Sequence, residues 1–320
     1  NVPGQDVKSI DVVENYSDYN ILEGFKTSNE TVISVNMSDH NKGRLHGQAD
    51  VKGGINNKYV VKDYSMLIKK KMMVSAIVSA NNTGKALLTQ KDIIGMNGGL
   101  SELLSGDNPQ EKISKVFSES SSLIGDRDDA YKRDNGIVSF NFVFMPSNKV
   151  KVFWNNIVAL DRYKTNNTTH YSYLNVPLDY DISNRTTNRV ATVNSNLKLQ
   201  LMPSKTFNVF YTGKVLWSRF TVDEVGQLIS SFIDDTKSQT VNLENDILAI
   251  KRIGMKNTLN FSVIYNYFRN KADEDFAADS IFYNGYHNLD DSYCYTNRMR
   301  SQYVGGEGFV LLRLNDNYYT

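Results

Sequence analysis

From Lys205 to Trp217 the chain alternates with a period of two. Phe207, Val209, Tyr211, Gly213, Val215 and Trp217 fall on one side. Thr206, Asn208, Phe210, Thr212, Lys214 and Leu216 fall on the other, which is mostly polar. That period belongs to a β-strand with one apolar face. The segment from Asn257 repeats it, with Leu259, Phe261, Val263, Tyr265 and Tyr267 set against Thr258, Asn260, Ser262 and Asn266. Two further runs behave alike: Leu45, Gly47, Ala49 and Val51, and Ala191, Val193, Leu197, Leu199 and Leu201. These strands are about 10 to 13 residues long, against roughly 5–6 in a typical globular sheet. Such a length matches a tilted bilayer crossing of ~9–11 residues with extensions into water.

The connections are of two kinds. Tight turns are predicted at 69–71, 146–149, 203–205, 254–257 and 315–317. Two of them are near copies, "FVFMPSNKVKVFW" and "LQLMPSKTFNVFY". Proline suits such a turn because its φ is preset and no ladder donor is needed there. Long polar loops are predicted at 82–135, 165–188, 218–239 and 270–300. Within them, 89–104 and 221–233 carry short helical patterns, the second with Thr221 and Glu224 spaced as a capping box. In a meander alternate connections lie at opposite ends, so short turns gather at one end and most long loops at the other. The turn at 54–58 is a short exception. That asymmetry belongs to outer-membrane barrels.

Composition agrees with an all-β chain: 19 Tyr and 15 Phe, with only 5 Pro. The 36 Lys and Arg balance 35 Asp and Glu, which leaves no basic field for nucleic acid. The single cysteine, Cys294, excludes an internal disulfide and Cys-rich zinc sites. No apolar run is long enough for a membrane helix, a fact that leaves a strand barrel open.

Residues 1–41 differ, with two short strand-like runs joined by a polar link, and read as the end of a separate small domain. The stretch "VKSIDVVENYSDYNILEGFKTSNETVISVNMSDHNKGRLHG" resembles the end of the plug domain of TonB-dependent outer-membrane receptors, running into the first barrel strand. The two plug strands of that pattern correspond to Val7–Val13 and residues 31–37. The segment with "NNTGKALLTQKDII" and the MPS-type turns is similar to the Bacteroidetes branch, in which an upstream carboxypeptidase-regulatory-like domain is common. The link departs from the common Gly-rich plug ending, with only Gly24.

The resemblance implies an antiparallel transmembrane barrel of the 22-stranded type, of which residues 42–320 would supply about ten strands after a plug remnant at 1–41. It implies a fragment, cut inside the plug and inside the barrel. It implies a Gram-negative outer-membrane location and energy-coupled uptake of a bulky nutrient such as a glycan, peptide or metal chelate. The partners would be outer-membrane lipid, a TonB complex contacted through a segment outside this sequence, and in some relatives a surface lipoprotein lid.

No enzymatic role and no cofactor are expected. The sequence has no HExxH, GxSxG, phosphate loop or dinucleotide fingerprint. His40, His46, His170 and His287 are scattered. The acidic clusters at Asp126/Asp128/Asp129, Asp234/Asp235, Asp273/Glu274/Asp275 and Asp290/Asp291 lack calcium-loop spacing and read as solvated charge, with calcium stapling of an extracellular loop as the alternative. Trp154, Tyr211, Trp217, Phe261, Tyr265 and Tyr267 lie on apolar strand faces. They read as lipid contact, with Trp217 and Tyr267 near strand ends as an interfacial girdle, against the alternative of a soluble core. Tyr163, Tyr171, Tyr173, Tyr180, Tyr283 and Tyr286 fall in the expected long loops, with Phe282, Tyr293 and Tyr295. There they serve either ligand contact or loop packing. Two other readings stand beside the receptor: a soluble or surface-attached all-β carbohydrate-binding protein, and a small passive outer-membrane barrel.

Overall fold

The computed structural model describes residues 7–13, 32–37, 43, 45–85, 129–172, 179–227, 231–254, 257–283, 286–315 and 318–319. Strands β1 (Val7–Val13) and β2 (Val32–Met37) pair antiparallel in a sheet of their own. All other strands form one antiparallel meander in chain order. It runs through β3 (Leu45–Gly53), β4 (Tyr59–Lys69), β5 (Met72–Asn81), β6 (Ala130–Ser147), β7 (Val150–Ser172) and β8 (Asp179–Ser204). It continues through β9 (Phe207–Gln227), β10 (Ser231–Ile253), β11 (Asn257–Tyr283), β12 (Tyr286–Asn315) and the two-residue β13 (Tyr318–Tyr319). The all-β antiparallel expectation holds.

In their described residues, three of the expected long loops are strand. Residues 165–172 and 179–188 pair in register from Thr165–Thr186 to Ser172–Asp179. Residues 218–227 and 231–239 continue the β9–β10 ladder, and 270–283 with 286–300 continue β11–β12. The strands therefore reach 18 to 30 residues from β6 to β12, not 10 to 13. Over the described residues of the helix expected at 221–233 the same ladder runs instead, with Thr221 paired with Lys237 and Val225 with Ile233. An isolated helix of that length is marginal in water, whereas extending an existing ladder needs no new nucleus. The helical pattern at 89–104 lies outside the described residues.

The tight turns expected at 69–71, 146–149 and 203–205 fall there to within a residue, and those at 254–257 and 315–317 lie partly outside the described residues. The two MPS copies share more than a turn. At each, one extra residue enters the strand: Phe144 pairs with Val152 but Ser147 with Val150, and Leu201 with Val209 but Ser204 with Phe207. This is a β-bulge, which tolerates a proline with no N–H to give. The methionine amide of each copy donates to the turn before it, Met145 to Lys71 O at 2.8 Å and Met202 to Lys149 O at 2.7 Å. The repeat thus ties each hairpin turn to the next. At the opposite end, the 54–58 turn uses Asn56 and Asn57 at φ near 60°, a region asparagine tolerates. Asn82 clamps it, accepting from Tyr59 N and donating to Asn57 O, each at 2.8 Å.

Residues paired across a ladder point to the same face. Followed from strand to strand, the register sorts every side chain of the meander onto one of two faces. Among the described residues of the meander, the buried side chains, fourteen polar or charged and five apolar, all fall on the same one. We call it the inner face. One-sided burial of this kind is what curling of the meander toward that face produces. Its small apolar island lies at the turn end, where Ile250 packs against Phe210, Leu248 and Leu311.

Candidate functional site

The inner face is polar along its length. Asn208, Thr258, Asn260 and Ser262 are buried beside Ile250. Midway up, Lys214 Nζ lies 3.5 Å from Glu244 Oε2, its register partner. Higher still, Arg133 of β6 grips Asp161 of β7 with two bonds, Nε to Oδ1 at 3.0 Å and Nη2 to Oδ2 at 2.8 Å. Both side chains are almost fully buried, 1% and 3% exposed. A buried ion pair persists only when its geometry is good and its remaining donors are met. Here Arg133 Nη1 reaches Gly84 O at 3.3 Å, and Asn135 Nδ2 reaches Lys85 O at 3.0 Å. Tyr163 sits in register with Arg133 and Asn188. Asn135 Oδ1, Ser79 Oγ and Ser139 Oγ are buried with no partner among the described residues. Such atoms on a curled wall call for water or ligand.

Toward the far hairpins the inner face becomes aromatic and acidic. Phe232, Phe276 and Tyr293 stack across β10, β11 and β12, with ring centroids 6.0 and 5.0 Å apart. Glu224, Asp234 and Glu274 lie on the same face. Asn184 Nδ2 donates to Glu224 at 2.8 Å, and Tyr293 Oη to Glu274 at 2.8 Å. Partial burial, then the Glu274 and Glu224 charges, push the Asp234 carboxyl above its ordinary range. The bond to Glu274 raises the Tyr293 phenol. An aromatic shelf flanked by carboxylates can hold a flat or cationic group.

The outer face reverses this polarity. On β11 it presents Leu259, Phe261, Val263, Tyr265 and Tyr267, then Arg269, Lys271 and Asp273. The apolar stretch rises about 27 Å along the strand, roughly 20 Å at a tilt near 40°. Tyr211 crosses Gly213, where an added Cβ would run into the phenol oxygen. Its hydroxyl then donates to Asn245 Oδ1 at 2.8 Å, satisfying a polar group on that face. Trp154 likewise donates to Ser195 Oγ at 3.1 Å.

All six residues read as lipid contacts lie on the outer face, Phe261 being 55% exposed. Trp217 and Tyr267 correct the sequence reading in one respect. They mark the edge of the apolar band, and their strands run on to Gln227 and Tyr283. Tyr163 is corrected too, being a buried strand residue of the inner face and not part of a loop. The backbones of Tyr171 and Tyr180 pair with each other, as do those of Tyr283 and Tyr286, and their side chains lie outside the described residues. Tyr173 lies wholly outside them. Strand alternation places Asp234 and Asp235 on opposite faces, and separates Glu274 from Asp273 and Asp275 in the same way. Among the described residues no three His, Cys, Asp or Glu side chains are arranged to hold a metal. The exposed Cys294 thiol is raised by the neighbouring Asp275 carboxylate. The Arg133–Asp161 pair and the Phe232–Phe276–Tyr293 stack escaped sequence reading, since each joins strands through long-range register.

No protein-family model matches the chain, and no curated protein is similar to it. Among solved structures, the open form of the ferric-catecholate import receptor Fiu from E. coli K12 aligns at 9% identity and a TM-score of 0.41, over 98% of this chain and 58% of Fiu. Its closed form aligns at 10% and 0.40, over 86% of this chain and 44% of Fiu. The ferric yersiniabactin uptake receptor FyuA from Yersinia pestis aligns at 8% and 0.34, over 97% of this chain and 50% of FyuA. The chain thus spans about half the length of these structures, and likenesses this low assign it no family.

Proposed function

We propose that this chain is wall and plug margin of a Gram-negative outer-membrane β-barrel receptor, of the TonB-dependent kind and its Bacteroidetes branch. On this reading residues 1–41 end the plug and 42–320 begin the barrel. The protein takes up a bulky nutrient such as a glycan, peptide or metal chelate and performs no covalent chemistry. The observation that carries the reading is the reversed polarity of the sheet, polar where buried and apolar where exposed. A continuous outer band from Leu259 to Tyr267 and its neighbours is far larger than the scattered apolar surface of a soluble monomer. Lipid removes the cost of that band, and a water-filled lumen suits buried Asn, Thr and Ser. The plug motif at Val7–Val13 and residues 31–37 supports the receptor over a passive barrel. The Phe232–Phe276–Tyr293 shelf with Glu224, Asp234 and Glu274 is the ligand-facing surface we assign on the far side.

Two measurements test this. The full-length protein should fractionate with outer membrane and migrate faster on gels before heating than after. Deleting its gene and deleting TonB should abolish uptake of the same compound from a panel of glycans, peptides and chelates. Detergent-free solubility as a compact monomer would contradict the membrane reading. Uptake that survives loss of TonB would contradict energy coupling.

A further inference from the structure

Where the outer apolar band stops, six adjacent strands each place a cation. Arg162 on β7, Arg189 on β8, Arg219 on β9 and Arg269 on β11 come two residues beyond Leu160, Ala191, Trp217 and Tyr267. Lys237 on β10 and Arg300 on β12 come four residues beyond Val241 and Val304. The register puts all six on the outer face. Six strands at a spacing of about 4.8 Å make a belt roughly 24 Å wide.

The belt is electrostatically incomplete. Arg162 stands between Asp134 on one side and Arg189 on the other, and Arg269 stands directly opposite Arg300. Like charges in such pairs repel. Arg189 is drawn off by Asp223, and Arg300 lies over the Tyr267 ring, 5.6 Å from its centroid. Arg162, Arg219, Lys237 and Arg269 have no ion pair among the described residues. The belt also carries hollows. One of about 740 Å³ is lined by Arg162, Arg189, Arg219 and Lys237, with Leu160 and Ala191 from the band edge, and Asp134 and Asp223 share its wall. Another of about 300 Å³ is lined by Tyr267, Arg269, Arg298 and Arg300. Farther out, Asp223, Asp235 and Asp275 stand side by side on the same face and limit any anion to the belt.

We propose that this belt binds the phosphate groups of a phosphorylated lipid in the outer leaflet, with its acyl chains lying on the apolar band. The proposal rests on the membrane-spanning reading. Arginine forks match phosphate oxygens in pairs, and phosphates bound along the belt relieve the opposed Arg269 and Arg300 and complement Arg162 and Arg219. Height selects the occupant: the cations sit at the band's edge, where headgroup phosphates lie. A soluble phosphate would gain nothing from Leu160 and Ala191 below.

The test uses the full-length protein in phosphatidylcholine nanodiscs doped with lipid A or with its dephosphorylated form, and native mass spectrometry of retained lipid. Lipid A should be retained and the dephosphorylated form lost. The triple variant Arg162→Gln, Arg219→Gln, Arg269→Gln should retain roughly a hundredfold less, three charges at about fivefold each. Heat-modifiable migration verifies that it folds. If it does not, Arg219→Gln alone should lose about fivefold. Equal retention of both lipids by a folded, inserted protein overturns the proposal and leaves the barrel reading intact. Displacement of lipid A by inorganic phosphate at matching concentration overturns it too, since the site would then take free anions. Failure of the wild-type protein to enter nanodiscs sinks the membrane reading itself.

Discussion

Asn260 and Phe261 are neighbours in β11, yet Asn260 is 1% exposed and Phe261 55%. In a soluble sandwich the burial would be the other way round. The same inversion runs through the sheet, with Asn208 against Val209, Asn135 against Val138, and Thr192 against Val193. Burial on the inner face comes from polar groups meeting each other, as at Arg133 and Asp161. Exposure on the outer face comes from side chains that need an apolar solvent. Each face is coherent only if the two sides of one sheet meet different media.

The largest break in this contrast should come from the inner pair. Arg133→Ala leaves Asp161 buried and uncompensated, and unfolding in detergent should show about 3–5 kcal/mol lost. Replacing both by apolar residues of similar size should restore much of that. Full loss in the double variant would mean the pair is not the source. Next, arginine can be moved across the sheet. Val263→Arg on the outer face should cost roughly 2–4 kcal/mol in bilayers. Thr212→Arg on the inner face, in register with Asp246, should cost under about 1 kcal/mol. Similar costs at the two positions would erase the distinction between the faces. Smaller again is Tyr211→Phe, which leaves Asn245 Oδ1 without its donor on the outer face. About 1–3 kcal/mol should be lost, and Tyr211→Phe with Asn245→Leu should recover it.

The smallest effect concerns acid. The Asp234 carboxyl is raised in the folded state, so its ionised form opposes the far hairpin. That opposition is complete above the raised value and fades as pH falls through it toward the ordinary carboxylate range. Asp234→Asn should therefore protect the β10 amides from hydrogen exchange near neutral pH. Below the ordinary range it should change nothing. Equal protection at both would place the effect elsewhere than in the charge.

Much of this was legible in the sequence where one face is apolar. Period two at Lys205–Trp217 and Asn257–Tyr267 sorted Val209, Tyr211, Phe261 and Val263 onto the correct side. The signal vanishes where both faces are polar. Residues 165–172, 179–188 and 218–227 alternate between two wet sides, so Thr, Asn and Asp there read as loop while the ladder simply continues. Tyr293 reads as a loop residue for the same reason, and its stack with Phe276 depends on a hairpin whose register no local pattern prints. The bulges at Pro146 and Pro203 were visible as a repeated phrase but not as an extra residue in the ladder.

The most direct test is a cysteine scan of β11 from 258 to 267, in full-length protein with Cys294→Ser, reconstituted in bilayers. Fluorophores at 259, 261, 263, 265 and 267 should be quenched by brominated lipid and ignored by a water-soluble quencher. Those at 258, 260, 262, 264 and 266 should show the opposite. Loss of that alternation, or water access at both parities, would contradict a wall with lipid on one side and a polar lumen on the other.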